Sequence, residues 1–294
     1  MDLDVGIIDA QVNVYNGDEV DDVELPLPRA LVRDPESIRA WPSLDVISYM
    51  FGNAGARAKD AVDLDAVLKL LDEWGIQRAQ VPVYPLSSKD YLDRLSAHSD
   101  RIFGTLRLDP HDGYECVRAL DELAGSYQWI RSVSMTPATT YPQIPPNSKE
   151  YYPIYSKCIE LDIPVMLNVG FPGPRIPGMV QDPMLIEEVA WFYPELRIVM
   201  KHGGEPWSEV CTRLVRKWPN LYFSTTGFAP RRYPPSIVSY LQGSGSHKII
   251  YGGYFPSIGL DRIMSELQEI ELDRERAERF LRLNAIKVFK LDAG

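Results

Sequence analysis

The sequence predicts an α/β fold, a closed parallel (β/α)8 barrel, on three observations. Short apolar segments alternate with amphipathic ones along the chain, giving eight strand-then-helix units in unbroken order. The 294 residues are enough for one barrel of roughly 250 residues with an insertion. The first strand lacks the GxGxxG turn of a dinucleotide site and no Walker loop is present, which weakens the competing doubly wound open sheet. Without an internal repeat or a low-complexity linker, residues 1–294 read as a single domain.

Each unit has its own signals. Residues 5–15 (VGIIDAQVNVY) begin apolar and then alternate, a strand with Asp9, Gln11 and Asn13 on one face. Residues 16–62 are far longer than a βα loop of about 2–6 residues and carry acids, prolines and the aromatics Trp41, Tyr49 and Phe51. That composition suits a lid, a pocket wall or a subunit contact. Asp63 can cap a helix that Gly75 ends, and residues 76–83 follow as the second strand. Ser87 or Ser88 can cap the next helix, to about 99. Residues 102–108 form the third strand, ending near Arg107 and Asp109, and 112–125 are helical.

Residues 130–135 are the fourth strand, with the 136–146 loop and a helix over 148–161 after it. Residues 163–169 (IPVMLNV) make the fifth strand with Asn168 near its end, and a Pro/Gly-rich loop with Arg175 follows. Helix 183–192 leads to strand 196–201 and then His202 on a glycine turn. Helix 207–218, strand 221–225, helix 235–241 and strand 248–251 complete the barrel, and helices over 260–269 and 273–289 close the chain.

Composition narrows the function. A net charge of −10 with scattered acids points away from nucleic acid and from a polybasic membrane anchor. No apolar run approaches the ~20 residues of a membrane-spanning helix. Cys116, Cys158 and Cys211 fall in separate helices without CxxC spacing, as expected of thiols in a reducing compartment. With an acidic start that enters a strand at once, the expectation is a cytoplasmic protein acting on a small molecule. The aromatic insertion also suits a homodimer contact.

In a barrel of this kind the strand C-termini ring one mouth, where chemistry is placed. Gln11, Asn13, Arg107, Asp109, Thr136, Asn168, His202, Thr225 and Tyr254 would converge there. His202 is the one good general acid/base, because an imidazole titrates near neutrality. Arg107 is a planar cation suited to a carboxylate, and the amides and hydroxyls can donate to an oxyanion. Plainer readings stand beside these: His202 bonding a neighbouring backbone group, Arg107 pairing with Asp109, Tyr254 packing. The four histidines are His98, His111, His202 and His247, and only His202 falls at the mouth, with Asp9, Asp109 or Glu205 as company. That is a poor set of metal ligands, and neither metal nor cofactor is expected.

Six segments, IIDAQVNVY, IPVMLNVG, IVMKHGGEPW, LYFSTTG, IIYGGYFP and LNAIKVFKL, resemble in their order the amidohydrolase superfamily. The resemblance is to its amidohydrolase-2 branch, which holds aminocarboxymuconate-semialdehyde and resorcylate decarboxylases and pyrone-dicarboxylate lactonase. It implies a distorted TIM barrel with the site at the strand C-termini. It also implies metal ligands that this chain lacks. Gln11 and Asn13 stand in place of the HxH pair, Asn168 in place of the strand-five histidine, and Tyr254 in place of the strand-eight aspartate. Only His202 persists.

The expected function is therefore a metal-independent hydrolase or decarboxylase-like lyase for a small cyclic or aromatic carboxylate. His202 would be the general acid/base and Asn13, Asn168 and Tyr254 would assist catalysis. Gln11, Arg107, Arg175, Thr136, Trp41, Tyr49 and Phe51 would bind substrate. A cyclase or isomerase on the same site, and a catalytically silent ligand- or partner-binding barrel, are the alternatives.

Overall fold

Runs of Val, Ile and Leu too short for a helix, each bounded by turn residues, become strands that are covered on both faces. They are β1 (Ile7–Asp9), β2 (Ile76–Val83), β3 (Ile102–Arg107), β4 (Ile130–Met135), β5 (Val165–Asn168), β6 (Ile198–Lys201), β7 (Leu221–Ser224) and β8 (Ile249–Ile250). This is a computed structural model, and it describes residues 1–14, 27–40 and 63–292. The eight strands pair in sequence order, every pair parallel. Hydrogen bonds from the Ala10 amide to the Tyr251 carbonyl (3.1 Å) and from the Tyr254 amide to the Gln11 carbonyl (3.0 Å), with a Val12–Phe255 bridge, join the last strand to the first. The doubly wound alternative is thereby excluded.

The helices are α1 (Pro35–Ala40), α2 (Leu64–Glu73), α3 (Lys89–Ser96), α4 (Tyr114–Ser126), α5 (Tyr152–Glu160), α6 (Met184–Phe192), α7 (Ser208–Lys217), α8 (Pro235–Gln242), α9 (Leu260–Gln268), α10 (Arg274–Glu278) and α11 (Asn284–Phe289). Asp63 caps α2 through the Ala66 amide (2.8 Å), and Ser88 caps α3 through that of Tyr91 (3.2 Å). Leu64, Val67 and Leu71 put one face of α2 into the core between helices and strands. Cys116, Cys158 and Cys211 are free and buried in α4, α5 and α7.

Three elements differ from the sequence expectation. Strand 5–15 is regular only over Ile7–Asp9; beyond it the Asp9 carboxylate accepts the Gln11 amide, while the Val12 amide still donates to the Gln80 carbonyl (2.8 Å). The helix expected over 148–161 starts only at Tyr152, with Pro153 in its first turn. The closing helix 273–289 is interrupted between α10 and α11 by a π-helical turn over Arg279–Leu283. Of the 16–62 insertion, Leu27, Leu31 and Val32 pack against Ile176, while Trp41, Tyr49 and Phe51 lie outside the described residues.

Alternation along the strands divides the barrel interior by height. Ile8, Phe103, Met166, Val199, Tyr222 and Ile250 form an apolar floor, plugged from below by Ala285, Val288 and Phe289 of α11. Two residues further along four of these strands the inward positions turn polar: Thr105, Asn168, Lys201 and Ser224. The floor seals one end, so chemistry is confined to the other.

Candidate active site

The polar storey above the floor is built by register. Arg107 at the end of β3 pairs with Ser134 of β4, and Asn168 at the end of β5 pairs with Lys201 at the end of β6. Lys201 is buried, and its Nζ donates to the Ser134 hydroxyl at 2.8 Å. No carboxylate pairs with it among the described residues. Burial first, then the Arg107 charge, lower its pKa to about 7.

His202 follows Lys201 at once. Its φ of 70°, with 77° at Gly203 and 71° at Gly204, makes a left-handed turn that throws the imidazole out of the strand and over the mouth. A Cβ at Gly203 would come within 2.3 Å of the Phe228 ring, so only glycine closes this turn. The ring stands edge-on to Tyr254, with centroids 5.3 Å apart and planes at 89°. Its Nδ1 faces Gly227, where an added Cβ would lie 2.6 Å away. Desolvation, then the Lys201 and Arg107 charges, hold His202 well below the usual imidazole range, so the ring is neutral near pH 7. The plainer reading of His202 does not hold, because its ring makes no hydrogen bond among the described residues.

Arg107 lies over the Tyr84 ring (5.8 Å) and donates to its hydroxyl at 3.4 Å. Asp109, the pairing considered for it, instead accepts from the His111 ring (2.8 Å) and from the His111 amide (3.0 Å). Asn168 keeps a buried Oδ1 without a hydrogen bond. A buried carbonyl left this way carries a cost that a bound donor would remove. Thr136 leads from β4 into the Pro137–Thr139 turn, its carbonyl accepting from Thr139.

Other expected site residues have partners of their own. The Gln11 side-chain amide donates to the Asn13 Oδ1 at 3.0 Å. Arg175 is exposed and bridges Asp34 (3.0 Å) and Glu36 (2.7 Å), its charge met by α1 and the residue before it. Lys201, Ser134 and Tyr84 were not anticipated. The signal for Lys201 was present: a lysine inside the buried run LRIVMKHGG, on the same face as Val199.

The barrel type invites a test for metal. Among the described residues no three His, Cys, Asp or Glu side chains come together. The cluster instead holds His202 beside two cations and neutral amides, a set that repels a divalent ion. These residues do not fit a metal.

Asp9 does different work. It is buried, and its Oδ1 accepts from the Gln11 amide (2.9 Å) and the Gly253 amide (2.8 Å), tying β1 to the turn after β8. Burial raises its pKa to about 7 against the pull of those two amides.

Comparison with known proteins places this geometry in context. A family model described as amidohydrolase matches residues 49–291, a span that leaves out β1. An uncharacterised TIM-barrel protein from Bordetella bronchiseptica superposes with a TM-score of 0.73 at 17% identity, over 97% of this chain and 98% of that one. A 5-carboxyvanillate decarboxylase from Novosphingobium aromaticivorans, complexed with manganese and 4-hydroxy-3-methoxy-5-nitrobenzoic acid, gives 0.72 at 18% identity, over 97% and 96%. A probable 2-pyrone-4,6-dicarboxylic acid hydrolase from Acinetobacter baumannii, with citric acid bound, gives 0.62 at 14%, over 97% and 100%. No curated protein matches.

Proposed function

This chain belongs to the amidohydrolase family, and from that premise we propose that it is a metal-independent enzyme that decarboxylates or hydrolyses a small cyclic or aromatic carboxylate. The observation that carries the reading is the cluster of Arg107, Lys201 and His202 at the C-terminal ends of β3 and β6. The structural neighbours bound to a nitro-substituted hydroxybenzoate and to citrate support the substrate class.

Arg107 holds the substrate carboxylate, a planar match of guanidinium to anion. The arriving negative charge offsets the Lys201 and Arg107 charges that add to desolvation in depressing His202, so its imidazole gains basicity when substrate is bound. His202 then delivers a proton to the carbon that loses CO2, or takes one from the attacking water in hydrolysis. Asn168 and Tyr254 line the same mouth and donate to the charge that develops, each such donor being worth about 3 kcal/mol when well placed.

The Gln11–Asn13 bond favours a second reading, a silent ligand-binding barrel whose former reactive positions have been tied off. One experiment separates the two. Chelator-treated protein is incubated with a panel of aromatic and cyclic carboxylates, and product is followed by mass spectrometry. Turnover should persist without metal and fall ~100- to 10,000-fold in His202→Asn. Arg107→Gln should raise KM more than it lowers kcat. Turnover that requires added manganese or zinc, or that survives in His202→Asn, overturns the proposal; binding without turnover favours the silent barrel.

A further inference from the structure

A primary amine buried in a barrel lumen without a carboxylate needs an explanation, because desolvating an unpaired ammonium is costly. Lys201 is 4% exposed, and its Nζ has one hydrogen-bond partner among the described residues, the Ser134 hydroxyl. It sits one residue beneath His202 and level in register with Asn168. Arg107 is close enough for its charge to act on both Lys201 and His202. Methionine or leucine would fill the same space without cost, as Val199 does one step lower. Desolvation and a neighbouring cation are the two conditions that make a lysine nucleophilic at neutral pH.

We propose that the Lys201 amine forms an imine with the carbonyl carbon of a small keto or aldehyde acid whose carboxylate is held by Arg107. This rests on the reading above for the anionic substrate, and it names the group that takes the place of the metal as electron sink.

The step balances without an added oxidant or reductant. The Nζ lone pair forms the C–N bond, the carbonyl oxygen takes up protons, and it leaves as water to give the protonated imine. For a substrate with its carboxylate β to that carbon, the C–C bond to the carboxylate then breaks. CO2 departs and the electron pair passes to the imine nitrogen as an enamine. His202 delivers a solvent-derived proton to the enamine carbon, and water hydrolyses the imine to release ketone and free amine. Ser134, bonded to Nζ, orients the amine.

The test is reductive trapping of the full chain with acetoacetate and with glyoxylate in the presence of cyanoborohydride near neutral pH. Intact mass and peptide mapping give the readout. The expected result is one adduct per chain on Lys201, formed ~10-fold or more faster than on Lys69, an ordinary exposed lysine. Lys201→Arg should remove that adduct, and Ser134→Ala should slow it. The map of the unaltered protein decides even if Lys201→Arg fails to fold. Labelling confined to surface lysines overturns the proposal. CO2 release from acetoacetate with no Lys201 adduct also overturns it, while leaving the proposed decarboxylation standing. An adduct on Lys201 without CO2 release upholds the imine and counts against decarboxylation.

Discussion

Asp9 and Lys201 are buried ionisable groups whose pKa values are both shifted to about 7, from opposite directions, by desolvation. Asp9 uses its carboxylate as a backbone clamp, and that has a consequence for stability. Its folded pKa lies above the unfolded value of 3.8, so the native state binds the extra proton between 3.8 and about 7. Stability from this group is therefore full below the lower value and is lost as pH rises towards the upper one, on the order of 4 kcal/mol in all. Asp9→Asn keeps an oxygen for the Gln11 and Gly253 amides and removes the titration. Urea unfolding of this variant should show that pH slope abolished. Asp9→Ala, which orphans two buried amides, should cost about 2 kcal/mol or more at every pH. An unchanged slope in Asp9→Asn would assign the proton to another group.

Turns, more than strands, set the geometry of the proposed site among the secondary elements. The His202–Gly204 turn after β6 aims the imidazole, and the turn after β7 supplies the wall behind it. Gly227, at φ 94°, has space for a hydrogen only, because the His202 Nδ1 lies where a Cβ would go. Gly227→Ala should displace the ring by a fraction of an ångström to an ångström and lower kcat ~100-fold. Far-UV circular dichroism should remain that of the native barrel. Native kcat in this variant would show that the ring's position is not set from this side. At this scale the sequence was legible wherever a cap or a terminator was local. Asp63 and Ser88 cap the helices they precede, and β2 and β4 run over the expected residues. The early end of β1 and the π turn in the closing helix were not legible; in that turn the Phe280 carbonyl accepts from the Tyr251 amide across the fold (3.1 Å).

For the whole molecule, a net charge of −10 opposes the approach of an anion that Arg107 and Lys201 attract at close range. Added salt screens the distant repulsion, over a Debye length of about 10 Å at 0.1 M, more than it screens cations set within the barrel. For an anionic substrate, kcat/KM should therefore hold level or rise as ionic strength increases from about 0.02 to about 0.2 M. A steep fall over that range would mean that the cationic mouth dominates capture at long distance.

By itself the sequence determined the fold class, the order of the strands and the place of the mouth. These follow from hydrophobic period, from turn residues and from the position of each residue type on a strand, all of which are local. Tertiary structure alone decided which of the gathered side chains act together. Gln11 donates to Asn13, Arg175 pairs with Asp34 and Glu36, and Lys201 joins Arg107 and His202 beside Ser134. The physical reason is that hydrogen bonds and Coulomb forces act over a few ångströms. Which groups stand within that range is fixed by strand register and barrel closure, which no short stretch of sequence encodes.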